Sequence, residues 1–205
     1  MSASGSGLAN IEFESLYELI KGDNGASSLY GLLGVKLGTG KKLSELKAEE
    51  SYVGTRSTDV MLAGILSKKF GAATGKMLLG YLFTNPYKEQ YSASDPEFDV
   101  NLTDQIVYSL ALMVPMEGGF EISGEFMGAL SQGEEEWSLG SAKYKVPNSS
   151  RSYSMFTPAF AYRAGDRFTL RGEADLLLQK SAAFTLNTHD LFKFNTYTIS
   201  GTLLL

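Results

Sequence analysis

The chain has 205 residues, a formal charge of −5 at pH 7, no cysteine and one histidine. That length suits a single domain, and the absence of cysteine removes disulfides, thiolate metal centres and cysteine nucleophiles together. An acidic balance without a Lys/Arg cluster leaves nothing to neutralise phosphates, which argues against nucleic acid as a partner.

Residues 1–7, Met-Ser-Ala-Ser-Gly-Ser-Gly, read as an expression leader and are set aside. Residues 8–27 form a short N-terminal amphipathic segment with two readings. Ile11, Phe13, Tyr17 and Leu19 alternate as in a strand, whereas Phe13, Leu16, Tyr17 and Ile20 stripe a helix that would stop at Gly22. From Ser28 onward the period is two. Residues 28–38 alternate Leu29, Gly31, Leu33, Val35 and Leu37 with Tyr30, Leu32, Gly34 and Lys36, which predicts a strand. A long loop follows over 39–57, and within it 41–51 has no alternating face and a composition that favours a short helix.

Three hairpins come next. Residues 59–70 turn through Gly71–Gly75 into 76–84, residues 105–116 turn through Glu117-Gly118-Gly119 into 120–130, and residues 155–163 turn through 164–167 into 168–180. A last strand covers 191–205. The connections between these hairpins, 85–104, 133–152 and 181–190, are long and polar, and Pro86, Pro96 and Pro147 punctuate the first two. Short turns thus alternate with long loops, which puts all turns at one end of the sheet and all loops at the other. The longest apolar run, 106–116, is broken by Ser109 and is far shorter than the ~20 residues of a membrane-spanning helix.

The expected fold is all-β: an antiparallel up-and-down transmembrane β-barrel over 28–205. A single-chain bacterial barrel has an even strand number, so segments 8–21 and 41–51 are either both strands, giving ten, or both something else. Since 41–51 makes a poor lipid-facing strand, eight is the expectation and ten the alternative.

A soluble lipocalin-like barrel also alternates, so the choice of membrane rests on the second face. That face carries Val107, Ser109, Ala111 and Met113 in one strand and Met155, Thr157, Ala159 and Ala161 in another, with charges of both signs elsewhere. Small groups and mixed charge suit a crowded lumen better than a solvated exterior. The expected lumenal charge network is Glu121, Glu125, Arg163, Arg171, Glu173 and Asp175, with the two arginines neutralising the acids, because an unpaired buried charge is costly. Phe83, Tyr108, Phe120, Tyr162, Phe168 and Tyr197 near strand ends are candidates for interfacial aromatic girdles.

The segments Ser28–Gly38, Val60–Phe70, Leu78–Tyr81 and Tyr197–Leu205 resemble the small bacterial outer-membrane β-barrel family that includes the OmpA transmembrane domain and OmpX. The likeness is one of pattern over about residues 28–205. It implies an outer-membrane location, contact with membrane lipid and lipopolysaccharide, and no particular activity.

Chemistry-bearing constellations are sparse. His189 beside Asp190, with Asp95, Asp99 and Asp104 on another loop, has the ingredients of a loop-borne hydrolase, but an exposed loop histidine is the plainer account. No transition-metal site and no cofactor is expected. The glycines, Gly31 and Gly34 among them, lack the strand-turn-helix context of a nucleotide loop. Acidic loops, including Glu134-Glu135-Glu136, have the groups to hold divalent cations bridging lipopolysaccharide phosphates or to meet a basic partner, but a solvated loop surface is the plainer account. The resulting expectation is a non-enzymatic outer-membrane barrel whose loops 85–104 and 133–152 serve envelope integrity, adhesion or complex assembly with another envelope or host-surface protein. A narrow conduit for small or hydrophobic solutes and a soluble ligand-binding barrel are the alternatives.

Overall fold

The computed structural model describes residues 11–22, 26–46, 56–164, 168–180 and 195–203. Thirteen strands occur among them: β1 (Ile11–Lys21), β2 (Ser27–Leu37), β3 (Asp59–Phe70), β4 (Ala73–Thr84), β5 (Tyr87–Glu89), β6 (Phe98–Asn101), β7 (Gln105–Pro115), β8 (Phe120–Ser131), β9 (Glu136–Leu139), β10 (Ala142–Lys145), β11 (Tyr153–Ala164), β12 (Phe168–Lys180) and β13 (Asn195–Leu203). Nine of them form one antiparallel sheet in the order β1-β2-β3-β4-β7-β8-β11-β12-β13, and four short ones form a second in the order β10-β9-β6-β5. The fold is therefore all-β and antiparallel, and the large sheet is open, with β1 and β13 at its edges.

The strand count differs from expectation. Residues 11–21 form a strand that pairs with β2 from Ile11 opposite Leu37 to Lys21 opposite Ser28, while the 41–51 stretch has only a 3-10 turn, Leu43–Glu45, in its described part. Parity had tied these two segments together. β1 carries a period-two pattern that β2 pairs with, whereas 41–46 does not, and residues 47–51 lie outside the described ones. The large sheet has nine described strands, so the expected eight, or ten, is not confirmed. The expected last strand is seen over 195–203, and residues 191–194 lie outside the described ones.

Glycine makes the tight turns. The β3–β4 loop is two residues long, since Phe70 pairs with Ala73, and Gly71 takes φ +62° there. Between β7 and β8, Gly118 and Gly119 take φ +74° and +82°, and a Cβ on Gly119 would lie 2.5 Å from the Arg163 carbonyl oxygen. Only glycine meets both demands.

The two faces of the large sheet differ in accessibility. Leu33, Leu62, Leu66, Met77, Leu79, Phe83, Leu110, Leu112, Phe120, Ile122, Phe126, Phe160 and Phe168 are exposed, with Leu79 at 61% and Leu110 at 60%. Their neighbours of opposite parity, such as Met61, Ala63, Ile65, Leu78, Ser109, Ala111, Met113, Ser123 and Met127, are half-buried, and Ala129, Thr157 and Ala159 are buried. The apolar face is thus the accessible one. Within β1–β12, the one charge on it is Lys68, near the β3–β4 turn, whose ammonium lies 5.4 Å from the Phe70 ring centroid.

Candidate functional site

Two regions carry polar chemistry: the less accessible face of the large sheet, and the small sheet at its loop end. All six residues of the expected charge network share the first of these, because strand parity puts Glu121 and Glu125 of β8, Arg163 of β11, and Arg171, Glu173 and Asp175 of β12 on one side. Cross-strand rows run Glu121–Ala161–Arg171 and Ser123–Ala159–Glu173. Arg171 Nε donates to Glu173 Oε2 at 2.9 Å, and Thr157 Oγ1 donates to Asp175 Oδ1 at 2.8 Å. No ion pair among the described residues engages Glu121, Glu125 or Arg163; the small Ala161 separates Glu121 from Arg171. Of the six, Arg171 and Glu173 form an ion pair, Asp175 accepts from Thr157, and Glu121, Glu125 and Arg163 join no ion pair among the described residues.

The same face carries charges that sequence reasoning left out. Lys36 of β2 pairs with Asp59 of β3, whose side chain is 4% exposed. Glu12, Glu14 and Glu18 of β1 sit opposite Lys36, Gly34 and Tyr30. The helical stripe that 8–21 also satisfies hides their place on this face.

The small sheet is built from the loops 85–104 and 133–152, each of which forms its own hairpin. β5 pairs with β6, β9 pairs with β10 through Gly140 at φ +59°, and β6 joins β9 with Asp99 opposite Ser138 and Val100 opposite Trp137. One side of this head gathers Tyr87, Glu89, Phe98, Val100 and Trp137, and Tyr91 completes an aromatic cluster with ring centroids 5.1 Å from Phe98 and 6.4 Å from Trp137. Phe98 and Trp137 are 5.5 Å apart.

Buried acids with arginine partners tie the head together. Glu89, 5% exposed, lies 3.5 Å from the Arg56 guanidinium, which also donates to the Lys88 carbonyl and sits 5.7 Å from the Tyr87 ring centroid. Glu135, also 5% exposed, pairs with Arg151, and its backbone N–H donates to Ser149 Oγ at 2.7 Å. Ser149 Oγ in turn donates to the Val146 carbonyl at 2.6 Å. Burial first, and the Glu89 carboxylate second, push the Tyr87 phenol up to about 12. On the outer side, the hydrogen bond and charge of Lys42 hold the Glu97 carboxyl below its ordinary value, and Glu136 raises the Lys143 ammonium in the same way.

The head is braced to the strand ends beneath it. Asp104 accepts from the Thr84 backbone at 2.9 Å and from Tyr81 Oη at 3.1 Å, Ser152 Oγ accepts from the Ser131 backbone at 3.0 Å, and Thr103 and Ser131 share a hydroxyl hydrogen bond. Ser44, from the 39–57 loop, donates its backbone N–H to the Gln90 carbonyl at 2.9 Å. Three loops thus converge on one platform.

The other sequence candidates do not converge. Asp104 is a structural acceptor, Asp95 and Asp99 are exposed on the head, and His189 and Asp190 lie outside the described residues. Among the described residues no group of three His, Asp or Glu side chains is placed to hold a metal ion. Of the girdle candidates, Phe83, Phe120 and Phe168 are exposed and Tyr108 and Tyr162 half-buried, while the side chain of Tyr197 lies outside what is described. The tilted rings of Phe120 and Tyr162 lie 4.6 Å apart at the turn end, and those of Tyr81 and Phe83 4.6 Å apart at the loop end. No family model matches this chain, and no curated protein matches it.

Proposed function

We propose that this chain is a non-enzymatic outer-membrane β-barrel protein whose wall anchors a folded head outside the cell. The observation that carries the reading is the exposure of the apolar face. In water, thirteen or more large apolar side chains on one continuous surface are far beyond what a soluble monomer shows, whereas lipid makes that surface the favourable one. A lipocalin-like ligand binder would have the opposite arrangement, with its apolar face turned inward.

Dimensions support the same reading. Strands of eleven to thirteen residues, such as β2, β3, β8 and β12, cross roughly 25–30 Å at ~3.3 Å per residue and a tilt of ~45°, the span of a bilayer's hydrocarbon core. Aromatic rings near both ends, and a lysine near one turn that can extend toward the headgroups, fit the two interfaces. From β2 to β12 the small residues of the polar face are less accessible than the apolar side chains opposite them, as in a sheet curling toward that face.

Outer-membrane lipid and lipopolysaccharide surround the wall in this reading, and the head offers its aromatic and charged surface to another envelope or host-surface protein. Envelope integrity, adhesion and complex assembly all use such a display. A narrow conduit is the second reading, favoured by the charges Glu121, Glu125 and Arg163, which no ion pair among the described residues engages. It predicts a single-channel conductance that changes in Glu125→Gln.

Refolding with and without detergent tests the main reading, followed by circular dichroism and by gel migration of unboiled against boiled samples. A β-rich, heat-modifiable species formed only with detergent supports it. A monodisperse β-protein in plain buffer would overturn it.

A further inference from the structure

We infer that β10 is a docking edge for an extended acidic segment of a partner protein, which adds to the small sheet as a further strand. The inference rests on the reading of the head as a display and deepens it. The small sheet ends at β10 on one side and at β5 on the other. The β5 edge is occupied: the Lys88 carbonyl accepts from the Arg56 guanidinium, and the nearby Gln90 carbonyl accepts from the Ser44 backbone. β10 pairs only with β9, all four of its residues are exposed, and no other hydrogen bond among the described residues reaches its backbone.

The tight turn fixes which backbone groups face outward. Gly140 and Ser141 form a two-residue connection between Leu139 and Ala142, which therefore exchange hydrogen bonds, as do Trp137 and Tyr144 two positions on. The next position in the series bears this phase out, with the Val146 N–H donating to the Glu135 carbonyl at 2.9 Å. The N–H and C=O groups of Lys143 and Lys145 consequently point away from β9, and Pro147, which has no N–H, ends the row. Outward groups at alternate residues are what an added strand uses.

Side chains select the occupant. Lys143 and Lys145 share one face with Glu136, which lies 2.8 Å from the Lys143 ammonium and directly across from Lys145, so one acid serves two cations. Lys145 joins no ion pair among the described residues. On the opposite face Tyr144, 62% exposed, stands beside Trp137 and carries the aromatic cluster of the head out to the edge. An incoming strand therefore meets cations at its first and third residues and an aromatic surface at its second. Acidic, apolar, acidic is the complementary order. A second copy of β10 is excluded on charge, because any register that joins the outward groups sets lysine against lysine. Lysine on an edge repels unselected strands, and here it also chooses an acidic one.

The probe is a fluorescein-labelled peptide, Gly-Glu-Val-Glu-Val-Glu-Gly, titrated against the whole chain folded in a zwitterionic detergent and read by anisotropy. Saturable binding is expected, weakened at least ~10-fold in the double variant Lys143→Glu/Lys145→Glu and weakened by added salt. Two further peptides separate strand addition from plain charge attraction on the unaltered protein, so the result does not depend on how the variant folds. One is N-methylated at its glutamates and the other at its valines. The first should lose binding if the strand adds antiparallel, and the second if it adds parallel. Absence of saturable binding up to about 1 mM, equal affinity for the counterpart with lysine in place of glutamate, or indifference to both N-methylations would overturn the docking edge. A chain that folds in plain buffer removes the membrane reading instead, and the same titration in buffer still decides what β10 takes.

Discussion

The wall and the head are both antiparallel β-sheet, yet they are held by different forces. The wall has long strands, an exposed apolar face and a single ion pair, Arg171–Glu173, among the expected network residues. The head has strands of three or four residues, few buried apolar groups and a framework of Arg56–Glu89, Arg151–Glu135 and a three-ring aromatic cluster. The ladder of backbone hydrogen bonds is common to both. What differs is the side chains each sheet presents: ion pairs and clustered rings on the head, a continuous exposed apolar face on the wall, which in the proposed reading meets lipid. At the base of the head, Asp104, Thr103 and Ser152 hydrogen-bond to the ends of β4 and β8 and fix where the two head loops leave the wall.

The largest expected effect breaks the wall's side of that contrast. Leu110→Arg puts a charge at the middle of β7 on the accessible apolar face and should cost ~2–4 kcal/mol of stability in vesicles, measured by urea titration of the heat-modifiable band. Ser138→Arg, on the head, should stay within about 0.5 kcal/mol. Equal effects at the two sites would erase the distinction.

A smaller and local effect is expected in the head. Arg151→Ala leaves the buried Glu135 carboxylate without its cation and should cost roughly 1–3 kcal/mol, confined to the head. Limited proteolysis should then cut within 85–104 and 133–152 while the wall keeps its heat-modifiable migration. Loss of both together would mean that the head stabilises the wall.

The smallest effect is a titration. Tyr87 keeps its proton to about pH 12 in the folded head, against 10 for a free phenol. Its contribution to stability is therefore complete below pH 10 and is lost as pH rises from 10 towards 12. Absorbance of the phenolate at alkaline pH, compared between wild type and Tyr87→Phe, should reveal one late-titrating tyrosine. Ordinary titration of the difference signal would contradict the buried position.

Much of the wall was legible because period-two alternation persists over whole strands: 59–70 appears as expected, and 105–116, 120–130 and 168–180 agree to within a residue. β1 was ambiguous because Phe13, Leu16, Tyr17 and Ile20 satisfy a helical stripe as well as Ile11, Phe13 and Tyr17 satisfy a strand. Only a neighbour with a matching face decides between them. The head is not legible in the sequence, since its strands are too short for alternation to register and the β6–β9 pairing joins residues from separate loops. One signal was present and missed: Gly140-Ser141 between 136–139 and 142–145 is a two-residue hairpin turn. The six charges share one face by strand parity, but their partners depend on register across the small residues at 159 and 161, which no single strand encodes.

The only tryptophan of the chain, Trp137, stands in the aromatic cluster of the head, whereas nearly all the long strands lie in the wall. Two optical signals therefore watch two different objects: intrinsic fluorescence follows the head, and far-ultraviolet dichroism follows the wall. Because β6 leads directly into β7 and β9 follows β8, closing the β7–β8 hairpin is what brings the head's two halves within reach. In a refolding time course the dichroism should rise first and the tryptophan emission change after it.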